Sequence, residues 1–593
     1  MKFKLRKIKT RRANTPEAYL EAAARAAGCA TEEEVSEFLA AVPPIHNTIA
    51  ELPDYAKARD RIREAIGSNE RIVIYADCDC DGITALVQLF DTLRAAGHDN
   101  VAWFVPDRIT DDYGLTMSGL KRCVGLHSPR LVIGADCGSN SADEIGWLRN
   151  MGIDCIVVDH HEIASASSLP AVACLNPGIF GEGGPSVKKM ADMSASGLAF
   201  LFCEQFAADA PLPAWDRNRS LLLAGLGTLA DVVPLVGINR ALVKHSLRLA
   251  NDPDELRRVP GLAALKAVSG TGDVKSHTYG FEWGPRINAM GRLEDAATSV
   301  RLLLSKTPEE AGPLAAECNR TNAERQDIQR KIVEEARAEA LPLVAQGCRV
   351  IVLARKEWHV GIVGIVASKI KEMFNRPAIV CGWREEGNCW RGSGRSVEGF
   401  DMGGAAESAV ENGILLRGGG HKMACGLSFS DGKLADLRKW MDSKCPLTER
   451  DFVPTHPVLG RSFAQSPQTW VDIYEKLEPF GSGNPRPLLR ADGRLVWIGE
   501  KKNKEDSTWG VRGGFICDGG PGGLVYFTWT DVARASAEWK KGSKYRIFLS
   551  VRKSVRDCPG GGRQTYYDWY VEDCELIPPF EPTFRGTDRK VAF

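Results

Sequence analysis

The sequence predicts an α/β protein: a parallel sheet wrapped by helices, a long helix, a second α/β unit and a small C-terminal β-barrel. Three observations carry that expectation. Between residues 71 and 176, short β-branched apolar runs alternate with stretches of helical patterning, as in a sheet of parallel strands joined by crossover helices. From Thr307 to Leu341 the chain is rich in Ala, Glu and Arg, with no loop chemistry after Pro313. From Phe452 to about Leu576, strand-like segments are separated by Gly/Pro/Asp turns.

Composition bounds the rest. A chain of 593 residues exceeds one ordinary domain and predicts three to four compact units. With 44% apolar and 26% charged residues, wholesale disorder is excluded. No apolar run approaches a membrane span, and the basic start MKFKLRKIKTRR leads into no apolar signal core. The 76 Lys and Arg balance 76 Asp and Glu, so any polyanion site must be a local basic cleft. Seventeen cysteines without a CxxC pair argue for reduced thiols in a cytoplasm and against a disulfide framework or a zinc ribbon.

In chain order, the first dozen residues carry seven Lys or Arg and read as a solvated arm. Pro16 to Asn69 reads as helical. RIVIYA (71–76), VAWFVP (101–106), RLVIGA (130–135), CIVVD (155–159) and AVACLN (171–176) read as strands, and ITALVQLFDTLRAAG (83–97) as a crossover helix. A mostly helical stretch runs to about residue 250. The Thr307–Leu341 segment is too polar for a core helix and reads as an exposed helix linking two lobes. CRVIVLA (348–354), GIVGIVASKIKEMF (361–374) and RPAIVCGW (376–383) begin the second α/β unit, which ends near Lys444. The barrel segments include LVWIGE, GGLVYFTW, KYRIFLSVRK and YYDWYVEDCEL, consistent with an OB-type fold.

The chemistry stands at the strand ends. RIVIYA runs into Asp77-Cys78-Asp79-Cys80-Asp81-Gly82, RLVIGA into Asp136-Cys137-Gly138, and CIVV into Asp159-His160-His161-Glu162. LLLAGLGTLA ends at Asp231. Ligands bind at the carboxyl ends of the strands of an open parallel sheet, so these groups converge on one crevice. Clustered carboxylates repel unless protonated or bridged by a cation, and Asp with His suits Mn²⁺ or Mg²⁺. If the first motif stays extended, alternation puts Asp77, Asp79 and Asp81 on one face and turns Cys78 and Cys80 into the core. Gly82 permits a turn into a helix whose N-terminus can face a phosphate.

These motifs resemble the DHH phosphoesterases, and among them the branch of bacterial single-strand DNA exonucleases. Asp159-His160-His161 matches the triplet that names the family. Further matching stretches are PDRITDDYGL (106–115), GPRINAMGRL (284–293), EWHVGIVGIVASKI (357–370), RGSGRSVEGFDM (391–402), GGGHKMACGLSF (418–429) and EPFGSGNPRP (478–487). The likeness runs from about residue 50 to 580, with the motifs in order. It implies an N-terminal arm and helices (1–70), a DHH domain (71–306), a linker helix (307–345), a DHH-associated domain (346–447), an OB-like domain (448–580) and a tail (581–593). It also implies that Asp77, Asp79, Asp81, Asp136, His160 and Asp231 hold a pair of Mn²⁺ or Mg²⁺ ions, with Asp136 as the bridge. His161 would touch the scissile phosphate and Asp159 would orient an imidazole. Many members carry a His where this chain has Tyr75, and Asp77 compensates in chains of this branch.

The implied activity is 5′→3′ hydrolysis of phosphodiester bonds in single-stranded DNA, serving recombination and repair. Arg286 and Asn288 would add donors to the developing charge. Arg108, Ser393 and Arg395 resemble a 5′-phosphate pocket, and His421 lies in a Gly-rich phosphate-handling loop. Single-strand selectivity would come from a basic groove with stacking aromatics, for which the barrel offers Trp497, Trp509, Phe527, Trp529 and Tyr545 beside Lys501, Lys502 and Lys504. A monomer in the cytoplasm, working with a single-strand binding protein or a helicase, completes the expectation. Two alternatives stay open: a phosphoesterase acting on small nucleotides or pyrophosphate, and a non-catalytic replication scaffold.

Overall fold

The computed structural model describes residues 4–8, 15–108, 111, 114–163, 169–180, 184–452, 455–462, 465–502, 508–520, 523–530, 532–557 and 563–577. The chain forms two compact units, one of residues 40–453 with 479–484, the other of residues 1–39, 454–478 and 485–593.

The first unit is built on two sheets. In the N-terminal sheet the strands lie in the order Val101–Phe104, Ile72–Ala76, Leu131–Ala135, Asp154–Val158, Ala173–Leu175, all parallel. The middle strands read as unbroken apolar runs because both faces are covered. Ile72, Ile74 and Ala76 join one core with helices Cys80–Ala95, Ala195–Asp209 and Arg217–Ala230, while Val73 and Tyr75 join another with Leu120, Ile145 and Leu148. Register aligns the acidic strand ends. Ala76 pairs with Ala135, and Ala135 with Val158, so Asp77, Asp136 and Asp159 each sit one step beyond the same row of the ladder. The ladder continues through them: Asp77 N–H donates to Ala135 O (3.2 Å) and Asp136 N–H to Val158 O (2.9 Å). Strands in such a sheet lie about 5 Å apart, so the three carboxylates are neighbours by construction.

The long helix spans Pro308–Ala345 and begins at Thr307, whose hydroxyl accepts from Glu310 N–H. It is not simply an exposed strut. Ala311, Ala315 and Cys318 are buried in the N-terminal core, and Ile332, Ala336 and Ala340 in the core of the second sheet. The buried residues fall on the helical repeat, but apart from Ile332 they are Ala, Cys, Thr, Asn and Arg, so the sequence looks polar throughout. The second sheet runs Arg417–His421, Ala424–Phe429, Cys389–Arg395, Ala378–Arg384, Ile351–Ala354, and only its last pair is parallel.

The second unit is a closed barrel of five strands, in which Leu488–Lys502 pairs with both Thr508–Cys517 and Lys544–Asp557. Leu524–Trp529 runs parallel to Arg563–Ile577, which closes the ring. The N-terminal arm is not wholly a solvated tail, because Lys4–Lys7 forms a strand parallel to Thr455–Arg461. Helix Pro16–Ala26 packs on Pro467–Leu477, with the rings of Tyr19 and Trp470 4.8 Å apart. Of the barrel aromatics, Phe527, Trp529 and Tyr545 are buried core, which removes them as stacking platforms, whereas Trp497 is 44% exposed. Lys504 and the side chain of Trp509 lie outside the described residues. No helix among the described residues is long and apolar enough to cross a membrane.

Candidate metal centre

Four segments bring the acidic groups together. Asp77 and Asp136 follow adjacent strands, His160 follows the next one, and Asp231 caps the C-terminus of helix Arg217–Ala230. His160 Nε2 stands 3.3 Å from Asp136 Oδ1, 3.5 Å from Asp231 Oδ2 and 3.9 Å from Asp81 Oδ2. Potential ligand atoms of Asp77, Asp79 and Asp136 also lie within 4.8 Å of one another, as do those of Asp81, His160 and Asp231. A third group of Asp136, His160 and His161 links the other two, so the sequence-derived set of six lies in one cluster with His161 beside it.

The first motif does not stay extended. Cys80 begins a helix, and Asp79 is its cap, accepting through Oδ1 from Asp81 N–H (3.0 Å) and Gly82 N–H (3.2 Å). Cys80 N–H is taken by Asn288 Oδ1 at 2.6 Å. The leading amides of this helix are thus occupied within the protein, so the expected phosphate site at its N-terminus is already filled by side-chain oxygens. Asp81 reaches the cluster from the first helical turn, and its carboxylate also accepts from Ala195 N–H (2.8 Å) and Ser196 N–H (3.0 Å). Gly82 permits the close approach, since a Cβ there would meet Asp77 O at 2.5 Å. Cys78 and Cys80 are buried and belong to none of the potential ligand groups among the described residues.

Electrostatics fits a cation. Asp77, Asp81 and Asp136 are at most 2% exposed, and both carboxylate oxygens of Asp77 and Oδ1 of Asp136 have no hydrogen-bond partner among the described residues. Burial, reinforced by the Asp79 carboxylate, pushes Asp77 up to about 6 and Asp81 up to about 7. Burial and then the Asp81 and Asp79 charges hold Asp136 and Asp231 well above the usual range. Burial and the neighbouring His161 depress His160 to about 4, leaving a neutral imidazole suited to ligation. Asp136 also sits at φ +60°, a left-handed conformation costly for a residue with a Cβ, as found where geometry is held for function. Orphaned oxygens, mutual repulsion and a neutral imidazole are the features of a donor set for hard divalent cations.

Asp159 behaves differently. Burial alone would raise it, but its hydrogen bond to the His161 ring (Nδ1, 2.6 Å) and the amides of His160, His161 and Ser139 hold it below the usual carboxylate range. That pairing outweighs burial at His161 and pushes it to about 9. His161 also stacks on His421, with ring centroids 5.7 Å apart, so the Gly-rich strand of the second sheet meets the centre. His421 Nδ1 lies 3.6 Å from Glu162.

The basic groups divide unequally. Arg286 bonds to Asn319 Oδ1 (2.9 Å) and Glu282 O (2.7 Å). Six residues on, Arg292 lies about 240° around the same helix. The charges acting on Arg292 include Arg108, Asp79 and Arg395, and burial lowers it to about 10. Sequence reading missed Arg292, although helical phase was the available signal. Arg108 acts on Asp77, and Arg395 donates to Ser393 Oγ (2.7 Å) beside Gly364. Arg108, Arg292, Arg395 and Ser393 therefore gather next to the acidic cluster.

Comparison with known proteins agrees with this geometry. The chain matches the DHH family, N-terminal domain, over residues 71–226 and the DHHA1 domain over residues 347–445. It is 31% identical over 497 residues to the single-stranded-DNA-specific exonuclease RecJ of Escherichia coli, covering 79% of this chain and 83% of that one. It is 34% identical over 453 residues to RecJ of Bacillus subtilis, covering 75% of this chain but 55%, about half, of that longer relative. The crystal structure of RecJ with Mn²⁺ from Thermus thermophilus superposes with a TM-score of 0.74 at 25% identity, covering 98% of this chain and 80% of that one. With the parallel sheet, the clustered carboxylates and the Asp159-His160-His161 triplet in place, the chain belongs to the RecJ family of DHH-type exonucleases.

Proposed function

We propose that this chain hydrolyses phosphodiester bonds of single-stranded DNA from the 5′ end, using a pair of Mn²⁺ or Mg²⁺ ions. The observation that carries the reading is the convergence of Asp77, Asp79, Asp81, Asp136, His160 and Asp231, with buried carboxylate oxygens left unpartnered inside the cluster. The relatives named as single-stranded-DNA-specific exonucleases and the structures of RecJ with Mn²⁺ or Mg²⁺ from Thermus thermophilus support it. Divalent cations bound there supply Lewis acidity toward a phosphoryl oxygen and a water nucleophile near neutral pH.

The chain's own residues do the rest. His161, held by Asp159, donates toward a phosphate oxygen as negative charge develops. Asn288 positions the first motif through Cys80 N–H. Arg108, Arg292 and Arg395 with Ser393 form a pocket for a terminal 5′ phosphate, a dianion that planar guanidinium groups bind well. His421, stacked on His161, adds a donor from the second sheet. In this reading, residues 71–306 carry the chemistry, 307–345 tie them to the DHH-associated domain at 346–447, and residues 448–580 grip the strand. Its place is recombination and repair, where a helicase or single-strand binding protein presents the unpaired strand.

The test is digestion of end-labelled single and double strands, with 5′-phosphate or 5′-hydroxyl ends, by wild type and Asp136→Ala. Mn²⁺-dependent release of 5′ nucleotides from single strands, lost in Asp136→Ala, supports the proposal. Release from the 3′ end, or equal action on duplex, overturns it.

A further inference from the structure

Immediately after Asp231 the chain does something costly. Val232 has φ +64°, a left-handed conformation that a β-branched residue strongly disfavours. Its side chain is 68% exposed, while its neighbour Val233 is buried. The conformation is imposed from both sides. Asp231 N–H and Val232 N–H bond back to Gly227 O (3.0 Å) and Leu229 O (3.3 Å), and Leu235 N–H bonds to Ser482 O (2.8 Å). A turn needing only this backbone is served without strain by Gly or Asn. A valine that keeps the strain and points its isopropyl group into solvent is placed there for its side chain.

A second exposed apolar group flanks the same helix end. Thr278–Trp283 forms a single π-helical turn, a rare geometry that concentrates at functional sites. It abuts Leu229 and Ala230: a Cβ on Gly280 would meet Leu229 Cδ2 at 3.0 Å, and one on Gly284 would meet Ala230 Cβ at 3.2 Å. Phe281 projects from this turn, 68% exposed and stacked on His277 with centroids 4.9 Å apart. Asp231 Oδ2 itself lies 3.5 Å from His160 Nε2. Val232 and the turn bearing Phe281 therefore both adjoin the helix end that carries Asp231, a member of the acidic cluster.

We propose that Val232 and Phe281 form an apolar rest for the sugar and unpaired base of the nucleotide whose phosphate occupies the acidic cluster. The occupant follows from continuity with the cluster: a nucleotide held there by its phosphate has only its sugar and base to offer to a flanking apolar surface. A base in a duplex is already stacked and paired, so this rest favours single strands at the point of chemistry. The inference deepens the proposed function and rests on it.

The experiment measures steady-state digestion of a single strand and of a matched strand with abasic residues at its 5′ end, for wild type, Val232→Gly and Phe281→Ala. On the base-bearing strand, KM is expected to rise about five- to tenfold for Val232→Gly and about tenfold or more for Phe281→Ala. On the abasic strand Phe281→Ala is expected to raise KM by less than twofold. Val232→Gly is also expected not to lower the unfolding midpoint, because relief of strain offsets the added freedom of the unfolded chain. Unchanged KM in both variants overturns the inference, as does an equal rise on both strands for Phe281→Ala. A wild type that digests neither strand instead refutes the functional reading beneath it.

Discussion

Removing divalent cations turns the acidic cluster into a source of pH-dependent instability whose sign and size follow from the structure. A carboxyl group with a raised folded-state value retains a proton that the unfolded chain releases, so its contribution to stability falls as pH rises from the unfolded value toward the folded one. Asp77 at about 6 and Asp81 at about 7 then lose about 1 and about 3 kcal/mol between pH 5 and 8. His161, raised to about 9, stabilises fully below its unfolded value and loses about 2 kcal/mol over the same interval. His160, depressed to about 4, works oppositely and regains about 2 kcal/mol as the unfolded imidazole deprotonates. Asp159 is ionised throughout this range and contributes no slope. The net loss is about 4 kcal/mol, before the further losses at Asp136 and Asp231. The assay is urea unfolding from pH 5 to 8 in EDTA and in Mn²⁺. In EDTA stability should fall with pH, and Asp136→Asn should flatten the slope. In Mn²⁺ the stabilisation over EDTA should grow with pH, since ligands bind deprotonated. A chelated protein as stable at pH 8 as at pH 5, and indifferent to Mn²⁺, would refute the reasoning.

Other expectations are simpler to read. Asp159→Asn removes the charge that pairs with the His161 ring and turns one acceptor oxygen into a donor, so turnover should fall about 10- to 100-fold while Mn²⁺ affinity changes little, as measured by kinetics and by metal titration. Arg395→Ala should reduce the preference for 5′-phosphate over 5′-hydroxyl ends by about 10- to 100-fold, the loss of a charge-assisted hydrogen bond, and Arg395→Lys should restore little of it. In the barrel, Phe527→Ala should cost about 3–5 kcal/mol in denaturant unfolding of the C-terminal unit. Trp497→Ala, at an exposed site, should leave that transition in place and weaken binding of single strands by about 1–3 kcal/mol.

The parallel sheet was readable because its strands are buried on both faces and so appear as continuous β-branched runs. Their common register sets Asp77, Asp136 and Asp159 side by side, which is why strand-end motifs pointed to groups that are neighbours in space. What escaped depended on distant packing. Nothing local announces that the Asp81 carboxylate accepts from the first amides of helix Ala195–Asp209 or that Asn288 occupies the amide of Cys80. The choice between Arg286 and Arg292 turned on helical phase, and the strand Lys4–Lys7 on a partner about 450 residues away. The stripe of the long helix was hidden because Ala, Thr and Asn are buried there as readily as larger apolar groups. Three of the four described barrel candidates were core for the ordinary reason that a small closed barrel fills its interior with rings.

Equilibrium Mn²⁺ binding, counted by electron paramagnetic resonance on wild type and Asp136→Ala, tests most directly whether carboxylates from four segments share cations. Two ions per wild-type chain, with at least one lost when Asp136 is truncated, is the predicted result. A chain that binds no Mn²⁺ at millimolar concentration, or whose stoichiometry and affinity ignore Asp136→Ala, would contradict the account.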